Sequence, residues 1–338
     1  MAFQRALITG ISGFVGGFLA EHLLELGDAV LGATADGDWL PTSPPGLASR
    51  VELVAWDVGR DDGLPDESRR RIERFAPTHL YHLAAISVPA LCGDQEPLPH
   101  AVAINVGGAH RAAQLAAALP TRPRVLLASS SHVYAPVDPE QPRVAESALL
   151  GPRSAYGRTK LAAEEVLRRA IETLGIDAVI VRSFSHAGPR QDDRLLLAQW
   201  ARQVAEGREA IEVRSLDAWL DLSDVRDAVR AERLVMEHGR RGCAYNLGSG
   251  VNRRSGEVMD LLLAASGRRF EVVETRPGRT QNPIADTSRL RAATAWQPEI
   301  PLEQTVADTL AWWRERLSAA PVRRPTREPS DAEPFRAR

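Results

Sequence analysis

Tyr156 and Lys160 stand four residues apart in SAYGRTKLAAEE, a segment with a helical pattern, so both fall on one helix face. A free tyrosine titrates near pH ~10 and is a poor acid or base partner at neutrality. A neighbouring ammonium, together with a positively charged nicotinamide ring, favours the phenolate. Such a phenol can give a proton to a carbonyl oxygen, or take one from an alcohol, while hydride moves to or from a cofactor. Tyr-x-x-x-Lys also occurs as helix surface decoration. Composition argues against that here, because the chain has 42 Lys+Arg and Lys160 is the sole lysine. Arginine serves at every other cationic position, yet it cannot replace a compact ammonium that must also hydrogen-bond a ribose.

A second motif, TGISGFVG over residues 9–16, carries Gly10, Gly13 and Gly16. Its G-x-x-G-x-x-G spacing is a variant of the dinucleotide-binding fingerprint, in which glycines turn the chain tightly and let backbone approach a pyrophosphate. Alone it is weak, since many strand-to-helix turns use glycine. Its place between the first strand and first helix, where a pyrophosphate meets a helix N-terminus, favours cofactor binding. The second strand ends in Thr34-Ala35-Asp36, with no arginine for a 2′-phosphate. Asp36 points to NAD rather than NADP. Asp57 and Val58 follow the third strand, where they contact adenine or Asp57 simply caps a turn.

Other polar residues leave two readings open. The fifth strand ends in Ser129-Ser130-Ser131, where a hydroxyl can hold a substrate carbonyl or cap the strand. Asn105 lies in an apolar, Ala-rich helical stretch and either holds a relay water or bonds backbone in the core. His132 and His186 are acid/base candidates or hydrogen-bonding pocket residues. No metal-ligand spacing accompanies them.

The elements that must position these groups alternate. Strands are expected at Arg5–Thr9, Ala29–Ala33, Val51–Ala55, Thr78–Leu83, Val125–Ala128 and Ala178–Arg182, and helices at Val15–Leu26, Asp66–Phe75, His100–Leu119 and Ala155–Leu174. That order argues for an α/β fold, a Rossmann-type doubly wound parallel sheet with helices on both faces. After Arg182 the rhythm changes. Helices are expected at Leu195–Glu206, Ser223–Glu237, Gly256–Ala265 and Leu302–Leu317, with strands at Ile211–Val213 and Ala244–Leu247. The expected division is 1–183 as an NAD(P)-binding domain to which 220–248 return, a smaller mixed α/β substrate lobe from 184–219 and 249–317, and a disordered, Pro- and Arg-rich tail over 318–338.

Bulk properties are ordinary for a globular chain of 338 residues, with 44% hydrophobic and 25% charged residues. A net charge of -2 and a pI near 6.5 give no footprint for nucleic acid or an anionic membrane. Cys92 and Cys243 are far apart and suggest no disulfide framework. No signal peptide and no run of ~20 apolar residues is seen, so a cytoplasmic protein is expected.

TGISGFVG, HLAA (His82–Ala85), Asn105, SSSHVYA, YGRTK and the Gly188-Pro189 turn together resemble the extended short-chain dehydrogenase/reductase family, in the family's order and as far as about residue 317. The resemblance implies catalysis by Ser130, Tyr156 and Lys160 with Asn105, and a homodimer formed through the helices at about 100–119 and 156–174. It implies dinucleotide contacts from Gly10, Ser12, Gly13, Phe14, Val15, Gly16, Thr34, Asp36, Asp57, Val58, Leu83, Ala84, Ala85, Tyr156, Lys160 and Ser183. Substrate contacts are expected from Ser87, Ser131, His132, Ser185, His186, Arg190, Arg214 and Arg276. RSFSHAGPRQ, LDAWLDLSDVRDAVRA, YNLGSGVNRRSGEVMDLLL and DTSRLRAATAWQPEIPLEQTVADTL look most like reductases of GDP-4-keto-6-deoxy-mannose and the related dehydratases. The chain departs from them at three places. His132 replaces the dehydratases' acid/base glutamate, Ser185 an asparagine, and Leu220 a phosphate-binding arginine whose loss Arg214 or Arg276 would have to cover. The resemblance implies a reductase of a nucleotide-linked 4-keto-6-deoxy sugar. The alternatives are an epimerase with tightly held NAD or a reductase of a non-nucleotide metabolite. A non-catalytic dinucleotide sensor is disfavoured by the Tyr-Lys pair.

Overall fold

The computed structural model describes residues 3–40 and 43–318. Seven strands form one parallel sheet: β1 (Arg5–Thr9), β2 (Ala29–Thr34), β3 (Glu52–Ala55), β4 (His79–His82), β5 (Arg124–Ser130), β6 (Ala178–Ser183) and β7 (Ala244–Leu247). Their order is β7-β6-β5-β4-β1-β2-β3, in registers such as Leu7 beside both Leu31 and Leu80. The continuous Val/Ile/Leu runs follow from burial on both faces. Chain order reverses direction at β1 and β4, which opens a crevice at their carboxyl ends.

The principal helices are α1 (Phe14–Glu25), α2 (Asp66–Phe75), α3 (Gly108–Ala118), α4 (Ala155–Thr173), α5 (Leu196–Ala205), α6 (Val225–His238), α7 (Ser255–Ser266) and α8 (Leu302–Ser318). One face of the sheet is covered by α2, α3 and α4, through Ile72, Ala112, Ala116, Ala163 and Leu167. The other is covered by α1 and α6, through Leu19, Leu23, Ala228, Val229 and Val235. A separate core joins α5, α7 and α8 around Leu197, Trp200, Val258, Leu262, Val306 and Leu310. Short strands complete that lobe, among them Ser185–Ala187 paired with Leu222–Asp224, and Ala218–Leu220 paired with Arg253–Arg254 and Thr280–Gln281.

Two differences from the expected boundaries bear on the site. The stretch expected as one helix from His100 is broken by a π-helical turn over Ala103–Gly107, and α3 begins only at Gly108. The side chain of Asn105, in that turn, reaches out to bond the backbone of Ile86. Ser223 lies in a strand, and α6 starts at Val225 because Asp224 caps it by accepting from the amide of Arg226 at 2.8 Å. The tail expected to be disordered lies, beyond Ser318, outside the described residues. Among the described residues no helix is long and apolar enough to cross a membrane.

Candidate functional site

A cleft of about 920 Å³ opens at the carboxyl ends of the central strands. Tyr156 and Lys160 enter it from the first turns of α4, whose N-terminus is capped by Ser154 Oγ accepting from the Gly157 amide at 3.1 Å. Any Cβ on Gly157 would collide with the carbonyl oxygen of His132. Glycine at that position lets α4 approach the turn that follows β5, and so brings Tyr156 to Ser130. Ser130 is near enough to the phenol to favour its ionised form. Lys160 Nζ donates to the carbonyl of Ala128 at 3.0 Å and lies 5.8 Å from the centre of the Tyr156 ring.

Both groups are buried, Tyr156 at 8% and Lys160 at 6% exposure, and burial dominates their titration. Desolvation pushes the Tyr156 phenol up to about 12, against a smaller lowering by Ser130, and pushes the Lys160 ammonium down to about 8. The expected lowering of the phenol by the ammonium is therefore not seen in the protein alone. Burial thus favours the neutral form of both groups and moves their titrations apart, and a further positive charge in the cleft would favour the phenolate.

Behind the pair lies a buried network. Glu164, on α4 one turn past Lys160, accepts from Ser129 Oγ at 2.6 Å and from Arg182 Nε and Nη2 at 2.9 and 2.8 Å. Arg182 also donates to Tyr134 Oη and to the carbonyl of Glu146. Burial would raise the Glu164 carboxyl, but Arg182 and Ser129 outweigh it and hold it below the ordinary range. The network ties α4 to β5 and β6 and fixes the distance between the Tyr156-Lys160 face and Ser130. Of the three serines, Ser129 thus serves the scaffold, Ser130 meets Tyr156, and Ser131 lines the cleft.

The glycine turn forms the other wall. Gly10 has φ +71°, and a Cβ there would lie 2.8 Å from the amide nitrogen of Ala84. A Cβ on Gly16 would collide with the carbonyl of Gly10. The N-terminus of α1 has no side-chain cap at Gly13 and no acidic residue in its first turn. Open backbone amides, close backbone approach and an uncompensated helix dipole suit a dinucleotide diphosphate. Ser12, Phe14, Val15, Leu83, Ala84, Ala85 and Ser183 line the same space.

Several expected residues are elsewhere. Thr34, Asp36, Asp57 and Val58 lie off the cleft lining. Asp36 Oδ1 accepts from Thr34 Oγ1 and the Asp38 amide, and remains at the strand end where a ribose would reach. Asp57 caps its own turn through the Gly59 amide at 2.9 Å, and Val58 is packed in the core. Asn105 accepts from the Ile86 amide at 2.8 Å and donates to the Ile86 carbonyl and Thr159 Oγ1. Its amide is committed to backbone and to α4, so it supports the loop over Tyr156.

Of the expected substrate residues, Ser87, Ser131, His132, Ser185, His186 and Arg190 line the cleft. The His132 ring stands edge-on to Tyr156 with centres 5.3 Å apart. Burial lowers both imidazoles, His186 to about 4, so both are neutral at pH 7. His186 Nδ1 pairs with Ser223 Oγ at 3.1 Å, while its Nε2 is buried with no partner among the described residues. Arg190 has a second attachment. Its guanidinium holds Glu21 through two bonds of 2.8 and 2.6 Å and stacks on Phe18 at 3.7 Å, so it also ties the loop to α1. Arg214 and Arg276 are a correction. Both are exposed and outside the cleft, at the end of the pairing between Ala210–Val213 and Glu271–Glu274.

The sequence reading missed the far wall, made by Leu195, Leu196, Leu197, Leu220 and Leu222 with Trp312, Trp313 and Arg316 of α8. A Trp-Trp pair with an arginine one turn on was its only local signal. It also missed Glu232 on α6, buried with Oε2 unpartnered and its carboxyl raised to about 8 by burial, which lines the cleft. Among the described residues no group of three or more His, Cys, Asp or Glu could hold a metal ion.

Comparison with known proteins agrees with this geometry. A GDP-6-deoxy-D-mannose reductase from Pseudomonas aeruginosa is 28% identical over 324 residues, covering 93% of this chain and 98% of that protein. A UDP-glucose 4-epimerase from Mycolicibacterium smegmatis is 28% identical over 325 residues, covering 93% and 99%. The solved structure of RMD from Pseudomonas aeruginosa with NADPH superposes with a TM-score of 0.77 at 28% identity, over 93% of this chain and all of that one. Residues 6–248 match the model of one family, and the chain belongs to it: the NAD dependent epimerase/dehydratase family.

Proposed function

We propose that the protein is an NAD(P)-dependent reductase of a nucleotide-linked 4-keto-6-deoxy sugar, in which Tyr156 protonates the carbonyl oxygen as hydride arrives at the carbonyl carbon. A bound nicotinamide dinucleotide supplies that hydride. The observation that carries the reading is the convergence of Ser130, Tyr156 and Lys160 in one cleft, facing the glycine turn. Ser130 orients the carbonyl oxygen toward the phenol, and Lys160 stabilises the phenolate left when the proton departs. His132, neutral and edge-on to Tyr156, stands where water elimination would need a carboxylate, which disfavours a dehydratase. Similarity to the GDP-6-deoxy-D-mannose reductase supports a reductive direction.

A second reading is an epimerase that oxidises and re-reduces one sugar nucleotide on tightly held NAD. The strand end Thr34-Ala35-Asp36 supports it, because Asp36 would repel the 2′-phosphate of NADP. Mass spectrometry and absorbance of the freshly purified protein separate the two. A protein free of dinucleotide that oxidises added NADH or NADPH with a nucleotide-linked keto sugar supports the reductase. Stoichiometric co-purified NAD, with no net oxidation of added cofactor, contradicts it and supports the epimerase.

A further inference from the structure

Glu232 lines the cleft but has no part in the proton and hydride chemistry above. It is 1% exposed, and its Oε2 has no partner among the described residues. It stands on α6, which shares a core with α1 through Leu19, Leu23, Ala228, Ala231 and Val235. Gly188 sits between the two helices, where a Cβ would lie 2.9 Å from Val225 Cγ1 and 3.7 Å from Phe14 Cζ. Glu232 is two turns beyond Val225 on the same face of α6. Gly16 and Gly17, in the first turn of α1, line the same space.

The charged and titratable groups on the elements around Glu232 are engaged elsewhere or neutral. Arg233, its neighbour on α6, pairs with Asp28 and Glu237. On α1, Glu21 is held by Arg190, and burial keeps His22 neutral at pH 7. Tyr81 of β4 bonds Gln4, His186 pairs with Ser223, and Arg289, behind α6, donates to the carbonyl of Ala244. Burial is the one cause that shifts the Glu232 carboxyl, to about 8, so it is neutral at pH 7 and ionises in mild alkali.

We propose that Glu232 is a proton-carrying wall of the dinucleotide site: its protonated form admits the cofactor's diphosphate to the glycine turn, and its carboxylate opposes it. The inference concerns the cofactor and holds for the reductase and the epimerase alike. The first turn of α1 carries no acidic residue, which suits an anion, and an ionised Glu232 returns a negative charge to that wall. A bound diphosphate in turn makes Glu232 harder to ionise. By linkage, the dissociation constant of the dinucleotide rises with pH above the value at which Glu232 ionises in the free protein, by at most about tenfold per pH unit for one proton.

The test uses the full chain, freed of any co-purified dinucleotide, and follows NADH and NADPH binding by nicotinamide fluorescence from about pH 6 to about pH 9. Lys160 loses its charge in the same range and weakens binding in the same direction, so variants must isolate the part due to Glu232. Glu232→Gln, an isostere of the neutral acid, should match wild type at the acid end and bind more tightly than wild type at the alkaline end, by about fivefold or more. Glu232→Leu, which cannot ionise either, should show the same divergence from wild type as pH rises. Affinity that falls with pH in parallel in wild type and both variants overturns the proposal. Affinity lowered by one constant factor at every pH in both variants, the mark of a purely structural residue, overturns it as well.

Discussion

The sheet half and the α8 lobe meet at one cleft but build their walls in different ways. On the sheet side the working groups come in short local units, a glycine turn of eight residues and a tyrosine and lysine one helical turn apart. On the lobe side the wall is gathered from three distant segments, Leu195–Leu197, Leu220 with Leu222, and Trp312 to Arg316. The first design leaves little room for variation, because Gly10, Gly16 and Gly157 each sit against backbone that a Cβ would strike. The second is a packed apolar surface with Arg316, which has no carboxylate partner among the described residues, at its rim. The proposed reading thus assigns proton and hydride chemistry to the sheet side and substrate choice to the lobe.

That division can be broken most sharply on the sheet side. Tyr156→Phe should lower kcat by about 10²–10⁴-fold, the usual worth of a positioned acid or base, while dinucleotide affinity stays within a few fold. Steady-state kinetics with a binding titration checks both. Next, Glu164→Leu should cost about 3–5 kcal/mol in a denaturant melt, since it leaves the buried Arg182 guanidinium without its carboxylate. Restoring a hydrogen-bonding group with Glu164→Gln should recover part of that loss. If Glu164→Leu melts like wild type, the network does not hold α4 in place.

Lys160→Arg should be damaging although the charge is kept, by about tenfold or more in kcat, because a guanidinium cannot fill the compact site against the Ala128 carbonyl. Wild-type turnover would refute the argument from the solitary lysine. Burial also gives Lys160 a pH signature. Its folded value is about 8 against an ordinary 10.5, so between those pH values the unfolded chain holds a proton that the native state has released. Its contribution to stability therefore rises with pH across that window, and Lys160→Met should flatten the rise in melts of the dinucleotide-free protein. A rise that survives in Lys160→Met would place its source elsewhere. The smallest effect is expected at Asp36, where Asp36→Ala should relax any preference for NADH over NADPH by a few fold in kcat/KM. An unchanged ratio would remove Asp36 from cofactor choice.

The sequence showed the sheet side well because its signals are local. Strand-helix alternation predicted the parallel sheet, and the Tyr156-Lys160 spacing predicted a shared helix face. Less was legible where a side chain's role depends on a distant partner. Arg190 lines the cleft, but its pairing with Glu21, 169 residues earlier, shows only in the fold. Asn105 left a relay water and a backbone bond open, and only the fold brings Ile86 and Thr159 to its amide. Arg214 and Arg276 have the right type for phosphate, but strand pairing carries them away from the cleft. Trp312 and Arg316 look like the outer face of a last helix until the packing of α8 on α5 brings them to the cleft mouth.

The central claim is that hydride transfer in this cleft is coupled to proton donation by Tyr156. Single turnover with a dinucleotide deuterated at its hydride-donating carbon, and a nucleotide-linked 4-keto-6-deoxy sugar, tests it directly. The account predicts one deuterium on the new carbinol carbon per turnover in the wild type, and transfer slowed by about 10²-fold or more in Tyr156→Phe. Label transfer at an undiminished rate in Tyr156→Phe would contradict it.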